Sequence, residues 1–115
     1  MSDPGMTESG PALVTRLTER FGLSAPIVSA PMAMAAGGRL AAAVSRAGGL
    51  GFIGGGYGDV AWIEAQMAEA GNVAVGCGLI TWALERREAE APGLFDAILA
   101  RSPGGVFLSF GNPEP

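Results

Sequence analysis

The sequence predicts an α/β fold in which parallel strands alternate with helices. Three observations carry this expectation. Four short apolar runs begin near residues 26, 50, 73 and 105. The stretches between them repeat apolar residues every three or four positions, the period of a helix with one packed face. Glycine and proline stand at the junctions, where a chain changes from one kind of element to another. Strands joined through helices pair in parallel, by right-handed crossovers.

Residues 1–11 are polar, with glycine and proline, and read as a disordered tail, leaving 12–115 as the folded domain. Leu13, Leu17 and Phe21 are spaced i, i+4, i+8 with Val14 alongside, which predicts a short amphipathic helix with Gly22 as its C′ residue. Ala25–Ala30 is the first strand, and the adjacent apolar pair Ile27-Val28 predicts burial on both faces. Pro31 ends it. Gly38 leads into a helix whose stripe is Leu40, Val44 and Ala47, and Gly48-Gly49 terminates it. Leu50–Gly54 is the second strand, followed by a loop over Gly55-Gly56-Tyr57-Gly58. Asp59 is the expected N-cap of the next helix, with Val60, Ile63, Met67 and Ala70 on its apolar side and Gly71 as its stop. Val73–Ile80 is the third strand. Trp82–Ala91 is an acidic helix, and Gly93–Arg101 continues as a helix with Leu94, Phe95, Ile98 and Leu99 on one side until Pro103 breaks it. Gly105–Phe110 is the fourth strand, before Gly-Asn-Pro-Glu-Pro.

The strand starts recur every 23–32 residues or so. A (β/α)₈ barrel takes about 250 residues, or about 31 per unit. The units present amount to half of such a barrel, or to a small open sheet. No helix follows the fourth strand to cover its face, and the sequence stops just past the strand end at which α/β proteins place function. The chain therefore reads as the N-terminal half of a TIM (β/α)₈ barrel, truncated, with about four parallel strands and intervening helices.

Composition narrows the function classes. The chain is 49% hydrophobic and 16% charged, which suits a globular domain with a large buried fraction. Its net charge is −4, it has no lysine, and no basic cluster exceeds Arg86-Arg87, which argues against a nucleic-acid surface. A single cysteine, Cys77, allows no internal disulfide and fits a reducing compartment. The absence of histidine removes Ser-His and Cys-His nucleophile pairs and most zinc sites. The N-terminus lacks the basic and apolar regions of a secretory signal, and the longest uncharged run, Phe21–Gly38, is interrupted by Pro26 and Pro31. The expectation is a cytoplasmic protein that does not enter a membrane and holds no metal.

Gly49-Leu50-Gly51-Phe52-Ile53-Gly54 matches G-x-G-x-x-G. The dinucleotide fingerprint requires that pattern between a strand and the following helix. Here it runs from a helix into a strand, so a helix stop followed by close helix–sheet packing is preferred. Gly54-Gly55-Gly56 follows a strand instead. It either lets a flat ligand or phosphate approach the backbone or is a flexible βα loop. Ala30-Pro31-Met32-Ala33 also sits at a strand end, where methionine either packs against an aromatic ring system or fills the core at a turn. Cys77, inside an apolar strand, is expected to be buried and inert. Glu85, Glu88 and Glu90 beside Arg86 and Arg87 are expected to form a solvated helix face. Ser109, Asn112 and Pro113 at the end of the fourth strand either bond a ligand's polar edge or serve as turn residues.

Several of these segments together resemble the N-terminal part of the nitronate monooxygenase family, also called 2-nitropropane dioxygenases. They are Pro-Ile-Val-Ser-Ala-Pro-Met at 26–32, Gly38 to Ser45, Ala47 to Gly54, Val75 to Trp82, and Val106 to Pro113. The resemblance runs from about residue 16 to the C-terminus. It implies an FMN-binding TIM barrel that oxidises alkyl nitronates or nitroalkanes with O₂, the flavin lying across the C-terminal rim. It sets Ala30, Pro31 and Met32 against the isoalloxazine ring, Gly54 and Gly55 beside the flavin, and Ser109 near the flavin or substrate edge. The third strand often supplies an asparagine to the flavin in this family. Gly78 stands there in this chain, so that bond is absent or replaced. The family's catalytic histidine and phosphate-binding glycine loops belong to the second half of the barrel, and the chain has neither, so it holds no catalytic residue and is expected to be inactive alone. Two other expectations remain open: a flavin-dependent enoyl-acyl-carrier-protein reductase-like barrel using a nicotinamide, and a non-catalytic half-barrel that pairs with a second half-barrel or forms a homo-oligomer.

Overall fold

The structure is a computed structural model that describes residues 13–112 and residue 114. The tail expected over 1–11 lies outside the described residues. The elements run α1 (Arg16–Phe21), β1 (Val28–Ser29), α2 (Gly38–Arg46), β2 (Leu50–Gly56), α3 (Val60–Ala70), β3 (Gly76–Ile80), α4 (Thr81–Glu90), α5 (Leu94–Ala100) and β4 (Val106–Ser109). The strands lie in the order β1-β2-β3-β4, and every neighbouring pair is parallel. Each strand thus stands beside its predecessor with helix between them in the chain. This is the winding of a TIM barrel carried through four strands, and the fold is half of such a barrel.

The sheet has two faces that the sequence alternates. Cys77 and Leu79 of β3 point to the helices, where they pack with Ile63, Leu84, Leu94 and Ile98. Ile53 of β2 packs the same way with Ala41, Ala42, Ala70 and Val75. The opposite, concave face carries Phe52 and Phe107, whose rings meet edge to face at 6.1 Å. Gly76 and Gly78 of β3 lie on that same face: a β-carbon at Gly76 would overlap the Phe52 ring, and one at Gly78 the Pro31 ring.

α1 closes one end of this concavity. Thr15 Oγ1 accepts from the Thr18 N–H at 3.1 Å, and Thr18 Oγ1 accepts from the Thr15 N–H at 2.8 Å, a reciprocal cap that starts the helix. Gly22, at φ 67°, ends it in the left-handed conformation. The cap fixes the helix start at Arg16, so Leu13 and Val14, expected inside the helix, precede it and are exposed. Leu17 packs on Leu23, Leu50 and Phe52, at the N-terminal end of the strands.

Three expectations change at the β1 side. β1 is not buried on both faces: Ile27 is 60% and Val28 39% exposed. β1 pairs with β2 alone, so one edge is open, and no described element covers it. The packed face of α2 is Gly38, Ala41 and Ala42, not Leu40, Val44 and Ala47. α2 touches β2 and α3 backbone to backbone here: a β-carbon on Gly51 would overlap the Ala41 carbonyl, and one on Gly38 the Gln66 carbonyl of α3. Only the smallest residues fit at that separation, so the larger Leu40 turns outward and is 46% exposed. β2 runs to Gly56 rather than Gly54, because a bulge between Gly54 and Gly56 restores pairing of Gly56 with Leu79.

α3 is capped as expected, Asp59 Oδ1 accepting from the Trp62 N–H at 3.1 Å. Ile63 and Ala70 are buried, but Val60 in the first turn is 40% exposed. The acidic face of α4 is not wholly solvated. Glu88 Oε1 accepts from the Phe95 N–H at 2.7 Å and Oε2 from the Gly93 N–H at 3.0 Å, so its carboxylate serves as the cap of α5. Those bonds, Phe95 first, hold the Glu88 pKa below its ordinary value. α5 buries Leu94 and Ile98 and leaves Leu99 44% exposed, a narrower stripe than its sequence predicts. Among the described residues, no helix is long and apolar enough to cross a membrane.

Candidate functional site

The C-terminal ends of β1, β2, β3 and β4 meet at one rim, where side chains and loops enclose a pocket of about 200 Å³. Pro31, Ala33, Gly56, Gly78, Ser109 and Phe110 line it. The loop after β1 shapes one wall. The Met32 carbonyl accepts from the Ala35 N–H at 3.1 Å and the Ala36 N–H at 2.8 Å, winding the chain back on itself. Ala33 then bridges to Gly54 in parallel, and the Gly54 N–H donates to the Ala36 carbonyl at 2.9 Å.

The glycines make this winding possible. A β-carbon on Gly54 would overlap the Met32 carbonyl, and one on Gly78 the Pro31 ring. The bare backbone at both positions is filled by the β1 loop, which lies flat across β2 and β3. Gly55 faces the helices, where a β-carbon would stand 2.7 Å from the Gly78 carbonyl oxygen and 2.9 Å from Leu79 Cδ2.

Of the residues the sequence singled out, Pro31, Gly78 and Ser109 come together on the pocket wall. Gly54 lies beneath the Met32 peptide and Gly55 on the helix side, so neither lines it. Ala30 and Met32 neighbour Pro31 in the chain and are exposed, and they do not line it either. The structure adds Ala33, Gly56 and Phe110 to the wall. Phe110 is 75% exposed and held at φ 60°, and Met34 in the loop after β1 is held at φ 66°. Left-handed backbone at non-glycine residues is costly and clusters at functional sites. An exposed aromatic just before Gly-Asn-Pro is the one signal in the sequence that could have pointed to Phe110.

No charged side chain lines the rim pocket among the described residues. Cys77 lies under the sheet with no exposure, and burial pushes its thiol up to about 11, so it stays protonated and inert at neutral pH. Among the described residues no group of histidine, cysteine or acidic side chains could hold a metal ion. The wall carries no charged side chain, and its polar surface is backbone together with one hydroxyl, from Ser109.

A half TIM barrel with a pocket at its C-terminal rim has the architecture on which barrel enzymes are built. Residues 14–80 match the family model described as nitronate monooxygenase. That match spans more than half of the chain, and the protein belongs to the nitronate monooxygenase family, a family of oxidoreductases. A search of curated proteins found no match for the chain.

Proposed function

We propose that this chain supplies one wall of an FMN site in an oxidoreductase that converts alkyl nitronates with O₂. What supports this is the packing of Pro31 on Gly78, which sets a wall without charged side chains at the barrel rim in a chain of this family. Pro31, Ala33 and Phe110 would lie against the isoalloxazine ring, and the Ser109 hydroxyl would bond its polar edge or the substrate. FMN, when bound, supplies the redox chemistry, and a nitronate already carries carbanion character, so little is asked of a protein base. The residues of this chain orient and shield.

The same wall has no cationic side chain for the phosphate, and the sequence has no histidine. The 115 residues alone therefore neither retain FMN stoichiometrically nor turn over a nitronate. Absorbance between 350 and 500 nm, roughly the flavin bands, tests this on two proteins. The purified 115-residue chain is expected to be colourless. A longer protein carrying this segment and a second set of βα units is expected to be yellow and to consume O₂ with a nitronate. A yellow, monomeric 115-residue chain would overturn the proposed division of the site. Oxidation of a nicotinamide instead of a nitronate by the longer protein would point to the enoyl-acyl-carrier-protein reductase chemistry.

A further inference from the structure

Tyr57 and Trp82 stand at the C-terminal rim, just outside the rim pocket. β2 ends at Gly56, which lines that pocket, and Tyr57 follows it. β3 ends at Ile80, which lines it too, and Trp82 stands two residues on, in the first turn of α4. The two rings meet at 5.7 Å, tilted by 60°. Tyr57 is 59% and Trp82 47% exposed. With Arg86, Arg87 and Glu90 the pair lines a second pocket of about 400 Å³. Small-molecule sites usually measure about 300–1,000 Å³. Gly58 turns the loop after β2 at φ 84°, and a β-carbon there would stand 3.1 Å from Leu94 Cδ2 and 3.5 Å from Arg87 Cγ. The Arg87 stem thus packs on the loop that carries Tyr57. Arg86 lies one turn beyond Trp82 on the same face of α4. Among the described residues neither arginine is in an ion pair, although Glu90 stands on the same wall. All five residues lie between β2 and α5, away from both ends of the sequence.

From this we propose that the second pocket binds a nucleoside phosphate, its base against the Tyr57–Trp82 pair and its phosphate at the Arg86 and Arg87 guanidinium groups. Exposed aromatic rings receive a planar base by stacking, with little regard to which base it is. A guanidinium meets phosphate oxygens with paired N–H donors, and two in succession suit a dianion better than a single carboxylate. Glu90 is the acid on this wall and opposes the anion. In a chain of net charge −4, two arginines outside any ion pair beside two exposed aromatic rings are the combination such a ligand requires. The rim pocket has no cationic side chain, and the groove beside Leu84, Phe95 and Leu108 is edged by Glu85 and Asp96, so neither offers it. Binding here needs no flavin and uses no side chain of the rim pocket, so it stands or falls separately from the proposed FMN site.

Isothermal titration calorimetry of AMP into the full 115-residue chain, without FMN, tests the site. One AMP per chain is expected, bound about tenfold or more tightly than adenosine or inorganic phosphate alone, because the pocket reads both parts. Trp82→Ala and the double variant Arg86→Gln/Arg87→Gln should each weaken AMP by about tenfold. The double variant Arg39→Gln/Arg46→Gln removes the same charge from α2 and should leave AMP binding unchanged. Glu90→Gln should tighten AMP about twofold, the scale of one exposed charge pair. That gain is a readout that mere destabilisation would not give, and circular dichroism confirms that each variant stays folded. Absence of saturable AMP binding, equal affinity for adenosine or phosphate alone, a loss shared by the α2 variant, or no gain from Glu90→Gln would each overturn the nucleoside phosphate site.

Discussion

The Pro31 ring packs against the backbone of Gly78, close enough that a β-carbon at 78 would overlap the ring. Two sequence features that stand 47 positions apart thereby become one surface. The proline ends β1 and stiffens its turn, and the glycine leaves room for it on β3. An asparagine could be housed at 78 only if the loop after β1 moved.

Gly78→Ala should therefore destabilise the chain by about 1–3 kcal/mol, the usual range for forcing extra volume into a filled site. Gly78→Ala combined with Pro31→Ala should cost less than the sum of the two single changes, because the clash is shared. Urea denaturation of the four proteins of that cycle measures the coupling. Additive losses would show that Pro31 and Gly78 do not press on one another.

Gly51→Ala should be worse than Gly78→Ala. The obstacle at 51 is the Ala41 carbonyl, a backbone group of α2 that a rotamer change cannot move aside, whereas the obstacle at 78 is a ring in a loop. A loss of about 3 kcal/mol or more is expected, at the upper end for overpacking. Hydrogen exchange should locate the damage in α2 and β2. Equal losses at 51 and 78 would contradict the backbone contact.

Glu88→Ala should loosen α5 in a pH-dependent manner. The folded pKa of Glu88 lies below its ordinary value of 4.5, chiefly through the bond from Phe95 and then that from Gly93. A carboxylate with a depressed folded pKa stabilises the fold fully above its unfolded pKa, and the contribution is lost as pH falls through the folded one. The melting temperatures of wild type and Glu88→Ala should differ at pH 7 and converge as pH drops below 4.5 toward the lower folded value. Thermal melts across that range check it. A gap that widened in acid would reverse the sign.

Cys77 should react with a thiol reagent only when the chain opens. It is fully buried, with its thiol pushed up to about 11. At pH 8 the native protein should label several orders of magnitude more slowly than the same protein in denaturant, in line with the ratio of folded to unfolded chains. Rapid labelling of the native chain, followed by mass spectrometry, would place Cys77 at an accessible surface.

The element order was legible in the sequence because it rests on local rules. Glycines 22, 48 and 71 and the cap at Asp59 depend on a few neighbouring residues, and apolar periodicity does too, whereas the cap at Thr15 was missed because Leu13 and Val14 continue the apolar period past it. The parallel sheet followed from the alternation of strands and helices. Side-chain burial was less legible. Ile27-Val28 reads as a buried strand, but whether a strand has neighbours on both edges is not a property of its own residues. Leu40, Val44 and Ala47 read as a packed stripe because Leu40 and Val44 are the larger apolar groups at helical spacing, yet α2 packs on Gly38, Ala41 and Ala42.

The pocket shows the same division. Pro31, Gly78 and Ser109 could be picked out because each stands at or near a strand's C-terminal end, and the position of an element's end is written locally. That Gly54 is covered by the β1 loop and Gly55 faces the helices, and that Phe110 joins the pocket, depends on the bulge in β2 and on where the β1 loop falls across the sheet. The sequence by itself determined four parallel strands and the helices between them, because hydrophobic period and turn residues act over a few positions. Only the tertiary structure decided which glycines are bare to a ligand and which are covered by the chain's own backbone, because a missing side chain records that something comes close and not what it is.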